Sequence, residues 1–351
     1  MTPSLLNPPA VDPTAIFELF RGSYGSELLT AATCHFDLFG RLAQQGKTFD
    51  QLREELGLET RPANVLVTAL RAMGLLQLRD EQLELTSIAH EHLVPGGEFD
   101  VGNYVGLAAE SPGVLSMVNL LKTNRPLGSD GDDSAGTAYI YRDGNVSAMD
   151  AEQTARHFTM ALAGRAKNVA PLLAANLDLK DSSVVLDVAG GTGIYCYALL
   201  QKYPHLRGII FDRPEVLKIA EAMAAEYGVL DRTQFVAGDM FADEFPADAD
   251  CVLLSNVLHD WNVPECEQIV QRCAAAIRPG GKVIIHDVFL NDALDGPLPI
   301  ALYSAALFSL TEGRAYSAAE YNGWLTAAGL TAALPIPTLI HCGAIVAQKF
   351  V

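Results

Sequence analysis

An acid at the end of an apolar run opens the most informative stretch of the chain, Asp187-Val188-Ala189-Gly190-Gly191-Thr192-Gly193. Small residues there allow a tight turn whose amides face a ligand at the start of a helix. Asp212 stands twenty-five positions after Asp187, closing the next apolar run, where a carboxylate can accept both hydroxyls of a ribose. A nucleoside fits between the two acids. A dinucleotide fingerprint needs a third glycine, but counting from Gly191 the chain reads G-T-G-I-Y-C, which disfavours NAD. Glycines in an ordinary strand-to-helix turn are the competing reading. Two later segments, Gly238-Asp239-Met240-Phe241 and Ser255 to Trp261 (SNVLHDW), follow the third and fourth apolar runs, where strand ends gather at a ligand crevice. His259 alone reads as a structural hydrogen-bonder, yet its position at a strand end places it in that crevice. His286 beside Asp287 invites a metal, but no further ligand has matching spacing, so none is expected. Cys266 and Cys273, seven apart on a helix, share a core face.

The elements that must carry these residues are legible as two regions. From Ser183 onward VVLDVA, GIIFD, TQFVAG, ADCVLLSNVL and KVIIHDV alternate with helical stretches, and strands this apolar are covered on both faces, as in a parallel sheet with crossover helices. The last run, IPTLIHCGAIVAQKF, broken by His341, Cys342 and Gly343, suits a terminal antiparallel pair. The fold class is α/β, a Rossmann-like doubly wound sheet. The first part is mainly helical, with Ile16, Leu19, Phe20, Leu28, Leu29 and Ala32 near the 3.6-residue period. A helix starting at Thr48 and Asp50, a second just after Pro62, and a hairpin turning at Arg79 to Gln82 form a winged-helix pattern. The expected boundaries are a helical domain over 1–123, a linker with connecting helices over 124–180, and a nucleoside-binding domain over 181–351.

Composition narrows the partners. The chain has 351 residues, half of them apolar and 19% charged, enough for two cores and a subunit interface. A net charge of -18 repels nucleic acid and anionic membrane surfaces, and the second helix of the winged pattern offers only Arg61 and Arg71 to a phosphate backbone. The apolar excess from Ile16 to Leu42 instead points to a homodimer. Six scattered cysteines form no framework and read as free thiols. The start lacks a basic and apolar leader, and no segment approaches ~18 uninterrupted apolar residues, so the expectation is a soluble, cytoplasmic protein with neither nucleic acid nor membrane as partner.

With the motifs in place, D-x-A-x-G-x-G resembles the first motif of class I methyltransferases, and LHDW with DGPLPIALYSAALFSLTEG at 295–313 is similar to the caffeate and acetylserotonin O-methyltransferase family. The likeness spans nearly the whole chain, including the winged-helix dimerisation region. It implies S-adenosylmethionine (SAM) as cofactor, S-adenosylhomocysteine as product, no metal and a small-molecule acceptor. Asp187, Gly190, Gly191 and Gly193 would line the methionine end, Asp212 would hold the ribose, and Asp239 with Met240 would flank adenine. Ser255 would add a backbone or hydroxyl contact, and Trp261 would pack near the cofactor. His259 would be the general base, with Asp287, where relatives usually carry Glu, orienting it; a neighbouring carboxylate fixes an imidazole's tautomer and raises its basicity. Phe158 and Leu162, four apart on a helix, could wall the acceptor pocket or simply pack.

Two positions depart from the family. Relatives read G-x-E-R-T where this chain reads Gly313-Arg314-Ala315-Tyr316-Ser317, so Ala315 replaces the second carboxylate that brackets the histidine, and a polar pocket position is Ala306. A hydroxyl acceptor needs a base, whereas a thioether attacks the methyl with a neutral lone pair. Methylation of a thioether acid such as 4-methylthio-2-hydroxybutyrate, yielding dimethylsulfoniopropionate chemistry, is therefore an alternative. There Arg142 or Arg314 could pair with the carboxylate and Tyr139, Tyr141, Tyr303 and Tyr316 could face the sulfonium, unless the arginines merely sit on the surface. A noncatalytic SAM-binding regulator is the alternative of another class, opposed by the retained His259-Asp260-Trp261.

Overall fold

The computed structural model of the chain describes residues 2–125, 152–247 and 249–350, so the expectations for Tyr139, Tyr141 and Arg142 lie outside the described residues. In chain order α1 (Thr14–Arg21) and α2 (Ser23–Thr30) lead through a π-helical turn to α3 (Leu38–Leu42). α4 (Phe49–Leu56) begins at a capping box, in which the Thr48 hydroxyl accepts from the Gln51 amide and the Gln51 side chain accepts from that of Thr48, and it stops at Gly57 in the left-handed region. α5 (Thr60–Ala72) starts two residues before Pro62, which occupies its first turn where the missing N–H costs nothing. β1 (Leu76–Arg79) and β2 (Gln82–Leu85) pair with Arg79 opposite Gln82, at the turn expected from sequence. α6 (Ser87–His92), α7 (Gly102–Val105) and α8 (Pro112–Thr123) complete the helical stretch.

α9 (Glu152–Asn176) precedes β3 (Val184–Val188), α10 (Ile194–Lys202), β4 (Arg207–Asp212), α11 (Pro214–Glu226), β5 (Thr233–Ala237), β6 (Cys251–Ser255), α12 (Val263–Ala276) and β7 (Lys282–Leu290). α13 (Leu298–Leu310), β8 (Tyr316–Ser317), α14 (Ala318–Ala327), β9 (Leu330–Ala332), β10 (Ile336–Pro337) and β11 (Cys342–Lys349) follow. The chain divides into two compact units that do not follow the expected boundaries. One holds residues up to Ala15, α9 through Phe289, and Ala318 onward; the other holds Ile16 through α8 and Leu290–Ser317.

The first unit is the α/β one. Its strands run in the order β10-β11-β7-β6-β3-β4-β5, parallel from β7 to β5, with β11 antiparallel to β7 and β10 turning back on β11. Ile340 and His341, both at positive φ, make the break read from the sequence. The N-terminal residues belong here: Leu5 is buried in this core, and its amide donates to Gln201 Oε1 at 2.7 Å. Cys266 and Cys273 are both buried on α12.

The helical unit has its own core, in which Leu28, Leu38, Phe39 and Leu42 are consumed together with Leu66, Leu70, Ala305 and Phe308. α13 joins it because LPIALYSAALFSL is apolar on every side and must be surrounded by helices; it packs against α5. Arg61 ties the two, stacking on Phe308 at 4.7 Å while donating to the Thr311 and Gly313 carbonyls. Of the apolar stretch expected to meet a second copy, only the α1 face is left out of this core, with Ile16, Leu19 and Phe20 69, 82 and 81% exposed. Among the described residues no helix is long and apolar enough to cross a membrane.

Candidate active site

The turn after β3 is built as the glycines require. Gly193, at φ +74°, is the N-cap of α10, and a side chain there would run into the Tyr197 ring. Gly190 lies so near Asp187 and Ile210 that a Cβ would sit about 3 Å from both. Ala189 is a non-glycine residue at positive φ, its amide bonded to the Phe211 carbonyl at 2.8 Å. The turn thus spans from β3 to β4, and the Gly191 amide donates to Asp212 Oδ2 at 2.8 Å while the Arg213 amide donates to Oδ1 at 2.7 Å. Burial pushes the Asp212 carboxyl up to about 6 against the pull of those two amides.

Asp187 is 1% exposed, and its Oδ2 meets no hydrogen-bond partner among the described residues. Burial, then the neighbouring Asp212 charge, pushes its carboxyl up to about 8. Such an oxygen beside a glycine turn fits a cationic ligand group, and each Asp212 oxygen keeps acceptor capacity beyond one amide. At the end of β5, Asp239 accepts from the Phe241 amide at 2.8 Å and faces Arg213 at 3.4 Å, while the Met240 carbonyl accepts from Arg272. Trp261 is buried edge-on to Phe241, ring centres 4.7 Å apart.

His259 sits on a single 3₁₀ turn, Leu258–Asp260, just beyond β6. Its Nδ1 is 2.5 Å from Asp287 Oδ1 on β7, and its Nε2 is 3.7 Å from Asp260 Oδ1. An ionised carboxylate only accepts, so Nδ1–H donates and Nε2 carries the lone pair. Burial works to lower the imidazole's pKa, but Asp287 and Asp260 outweigh it and hold His259 above its ordinary value. Asp287 stays below the usual carboxylate range despite burial because His259, the Val288 amide and Arg165 stabilise its charge. Asp260 rises to about 6, mainly through burial.

Sequence reasoning did not single out Tyr321, Arg165 or Asn256. Tyr321 of α14 donates its phenol proton to Asp287 Oδ2 at 3.1 Å. Arg165 of α9 donates to the Asn256 side-chain carbonyl at 2.6 Å, and Asn256 is at φ +56°. An asparagine after an apolar strand was the one available signal, since it tolerates the left-handed region. Ser255 turns its hydroxyl to His286 Nδ1 at 2.7 Å, and burial pushes that imidazole down to about 3, so it is neutral. His286 and Asp287 point to opposite faces of β7, His286 reaching Thr338 at 3.2 Å, which is why adjacency in sequence makes no shared cage.

The acceptor-side candidates are less united. Leu162 is 62% exposed on α9, and Phe158 lies on the same helix with its side chain outside the described set. The other candidates belong to the helical unit. Tyr303 lies under the Arg21 guanidinium at 3.6 Å. Arg314 is buried, not on the surface, stacked on the buried Tyr316 at 4.3 Å and donating to the Ala315 carbonyl. Ala306 and Ala315 are buried, and the Ala315 amide donates to Ser304 Oγ at 3.1 Å.

A glycine turn and an acid at successive strand ends, with a buried His–Asp pair two strands away, define a class I methyltransferase site. Residues 138–331 match the family model of the O-methyltransferase domain. The 3-hydroxy-5-methyl-1-naphthoate 3-O-methyltransferase of Streptomyces sahachiroi is 34% identical over 92% of this chain and 90% of its own length. The crystal structure of an O-methyltransferase family 2 protein from Planctomyces limnophilus in complex with apigenin is 46% identical, with TM-score 0.89 over 99% of each chain. Human N-acetylserotonin methyltransferase in complex with SAM shares the fold at TM-score 0.60 and 20% identity, covering 96% of this chain and 97% of its own. The chain belongs to the O-methyltransferase family and is a SAM-dependent methyltransferase of small molecules.

Proposed function

We propose that the chain methylates a hydroxyl on an aromatic small molecule, with His259 as the base. The observation that carries this is the buried His259–Asp287 hydrogen bond, which fixes Nδ1–H and leaves Nε2 as the proton acceptor. The relative that methylates a 3-hydroxynaphthoate and the one that holds apigenin support the acceptor class. SAM, when bound, supplies an electrophilic methyl on a sulfonium. Asp187 answers its ammonium, Gly190, Gly191 and Gly193 let its methionine end approach backbone, and Asp212 takes its ribose hydroxyls. Asp239, Met240 and Trp261 enclose the adenine side, while Ser255 contributes its backbone, its hydroxyl being engaged by His286.

The test is kcat against pH for the wild type and His259→Ala with hydroxylated aromatics and, separately, methylthio-hydroxybutyrate. For a hydroxyl acceptor, His259→Ala lowers kcat by ~10² to 10⁴, and the wild-type rate climbs with pH through the raised imidazole pKa. Turnover of the thioether alone, with a flat profile, would overturn the reading. The helix–helix–hairpin unit, with α1 presenting Ile16, Leu19 and Phe20 to solvent, supports a homodimer. Light scattering on the wild type and a Leu19→Glu, Phe20→Glu variant is expected to show a dimer and a monomer; a monomeric wild type at micromolar concentration would refute it.

A further inference from the structure

Tyr321 is fully buried on α14, which packs against α12, and its ring is clamped edge-on between Phe289 at 5.4 Å and Trp324 at 5.3 Å. A clamped ring points its hydroxyl in one direction, and that direction is Asp287 Oδ2, 3.1 Å away. Asp287 is itself 1% exposed, and its other oxygen serves His259 Nδ1 and the Val288 amide. The phenol is thus the partner of the oxygen that faces away from the imidazole. Without it that oxygen would lack this donor, and a buried carboxylate that loses a donor either rotates towards one or takes up a proton.

We propose that Tyr321 is a positioning residue of the His259–Asp287 pair, its phenol fixing the Asp287 carboxylate so that Oδ1 stays on the imidazole and Nε2 stays aimed as proton acceptor. The inference deepens the proposed base chemistry and rests on it only for its kinetic arm. Two charge states of the pair matter. With Nε2 protonated, the Asp287 charge is balanced by the imidazolium; once Nε2 has lost its proton, the carboxylate stands as a net negative charge and depends most on the Tyr321 hydrogen bond. Among the described residues, Asp260 on the same turn, Arg165 from α9 and the neutral His286 on β7 also face the pair.

Tyr321→Phe keeps the ring packing and deletes the donor. In the cofactor-free protein, nitrogen NMR of the His259 imidazole, assigned by its loss in His259→Ala, is expected to show a titration midpoint raised by about one pH unit. In turnover with a hydroxylated aromatic, kcat falls about tenfold on the acid side of the profile and converges with wild type above it, with KM for SAM unchanged. Replacing Tyr321 by 3-fluorotyrosine, a stronger donor, moves the midpoint down. A role in packing alone predicts an unmoved midpoint and a loss equal at every pH, and either result overturns the proposal. Should Tyr321→Phe fail to fold, the fluorotyrosine protein decides by the direction of its midpoint. If no hydroxyl acceptor is turned over, the proposed function fails while the imidazole titration still reports on Tyr321.

Discussion

Asp187 and Asp287 lie on strands of one mixed sheet, each 1% exposed, and their carboxyls behave in opposite ways. Burial penalises both charges. Asp287 is given an imidazole, a backbone amide and a phenol and remains ionised below the usual range; Asp187 has an oxygen without a partner among the described residues and the charge of Asp212 nearby, and rises to about 8. The difference shows that depth in the sheet does not decide a carboxylate's state here. Partners do, and on the proposed function they divide the crevice into a pair that would move a proton and a site that a cationic group would complete.

Converting the complete site into an incomplete one has the largest expected effect. Asp287→Asn preserves shape, but its oxygen accepts from Nδ1–H only as a neutral group, its NH2 cannot accept from Tyr321, and the charge that raises the His259 pKa disappears. Kinetics are expected to show kcat reduced by about 10³-fold, roughly 4 kcal/mol, with the acid limb of the profile displaced to lower pH. An unchanged limb in a folded variant would separate Asp287 from the base.

Removing the charge of Asp187 acts with the other sign on stability. A carboxyl whose folded pKa is raised favours the folded state when protonated, so its contribution is full below the unfolded value of about 4 and is lost as pH rises to about 8. Asp187→Asn cannot ionise, and calorimetry of the cofactor-free protein at pH 8 is expected to find it more stable than wild type by about 2 to 4 kcal/mol, the two converging near pH 4. On the proposed function the same variant is expected to bind SAM more weakly in calorimetric titration, because its side chain no longer offers the ammonium a charge. Equal melting temperatures at pH 8 would mean that Asp187 is not strained by its setting.

These contrasts were only partly legible in the sequence. The strands were, because apolar runs ended by Asp187, Asp212 and Ser255 leave little else to be, and the glycine turn was, because Gly190 and Gly193 answer to sterics within a few residues. The location of 290–317 was not: α13 is apolar all round, so it shows no face and no periodicity from which a neighbour can be inferred, and it joined the helical core across a long gap in sequence. The Tyr321 hydrogen bond spans 34 positions, a distance at which a single sequence carries no pairing signal, and the His259–Asp287 one, spanning 28, was expected only through the family resemblance. Ser255 was legible as the end of β6, while the direction of its hydroxyl, towards the neutral His286, was not.

The smallest expected effect tests whether the incomplete site is completed by one acid or by two. Asp212 differs from Asp187 in having both oxygens engaged, by the Gly191 and Arg213 amides, and in being half-buried rather than enclosed. Its carboxyl, at about 6, is mostly ionised at neutral pH, and the two amides orient it without exhausting its lone pairs. Two ribose hydroxyls added to that geometry make charge-assisted hydrogen bonds, and Asp212→Ala is expected to weaken SAM binding by about 1 to 3 kcal/mol. The loss should grow as pH rises through about 6, because below it the wild-type acid is itself protonated and its advantage shrinks. Calorimetric titration with SAM at pH 5.5 and 8, on protein shown to be folded, measures both. Unchanged affinity at pH 8 would remove Asp212 from the ribose and leave Asp187 and Asp239 as the acids of the proposed cofactor site, whereas an equal loss at both pH values would assign the effect to the freed Gly191 turn, not to the missing charge.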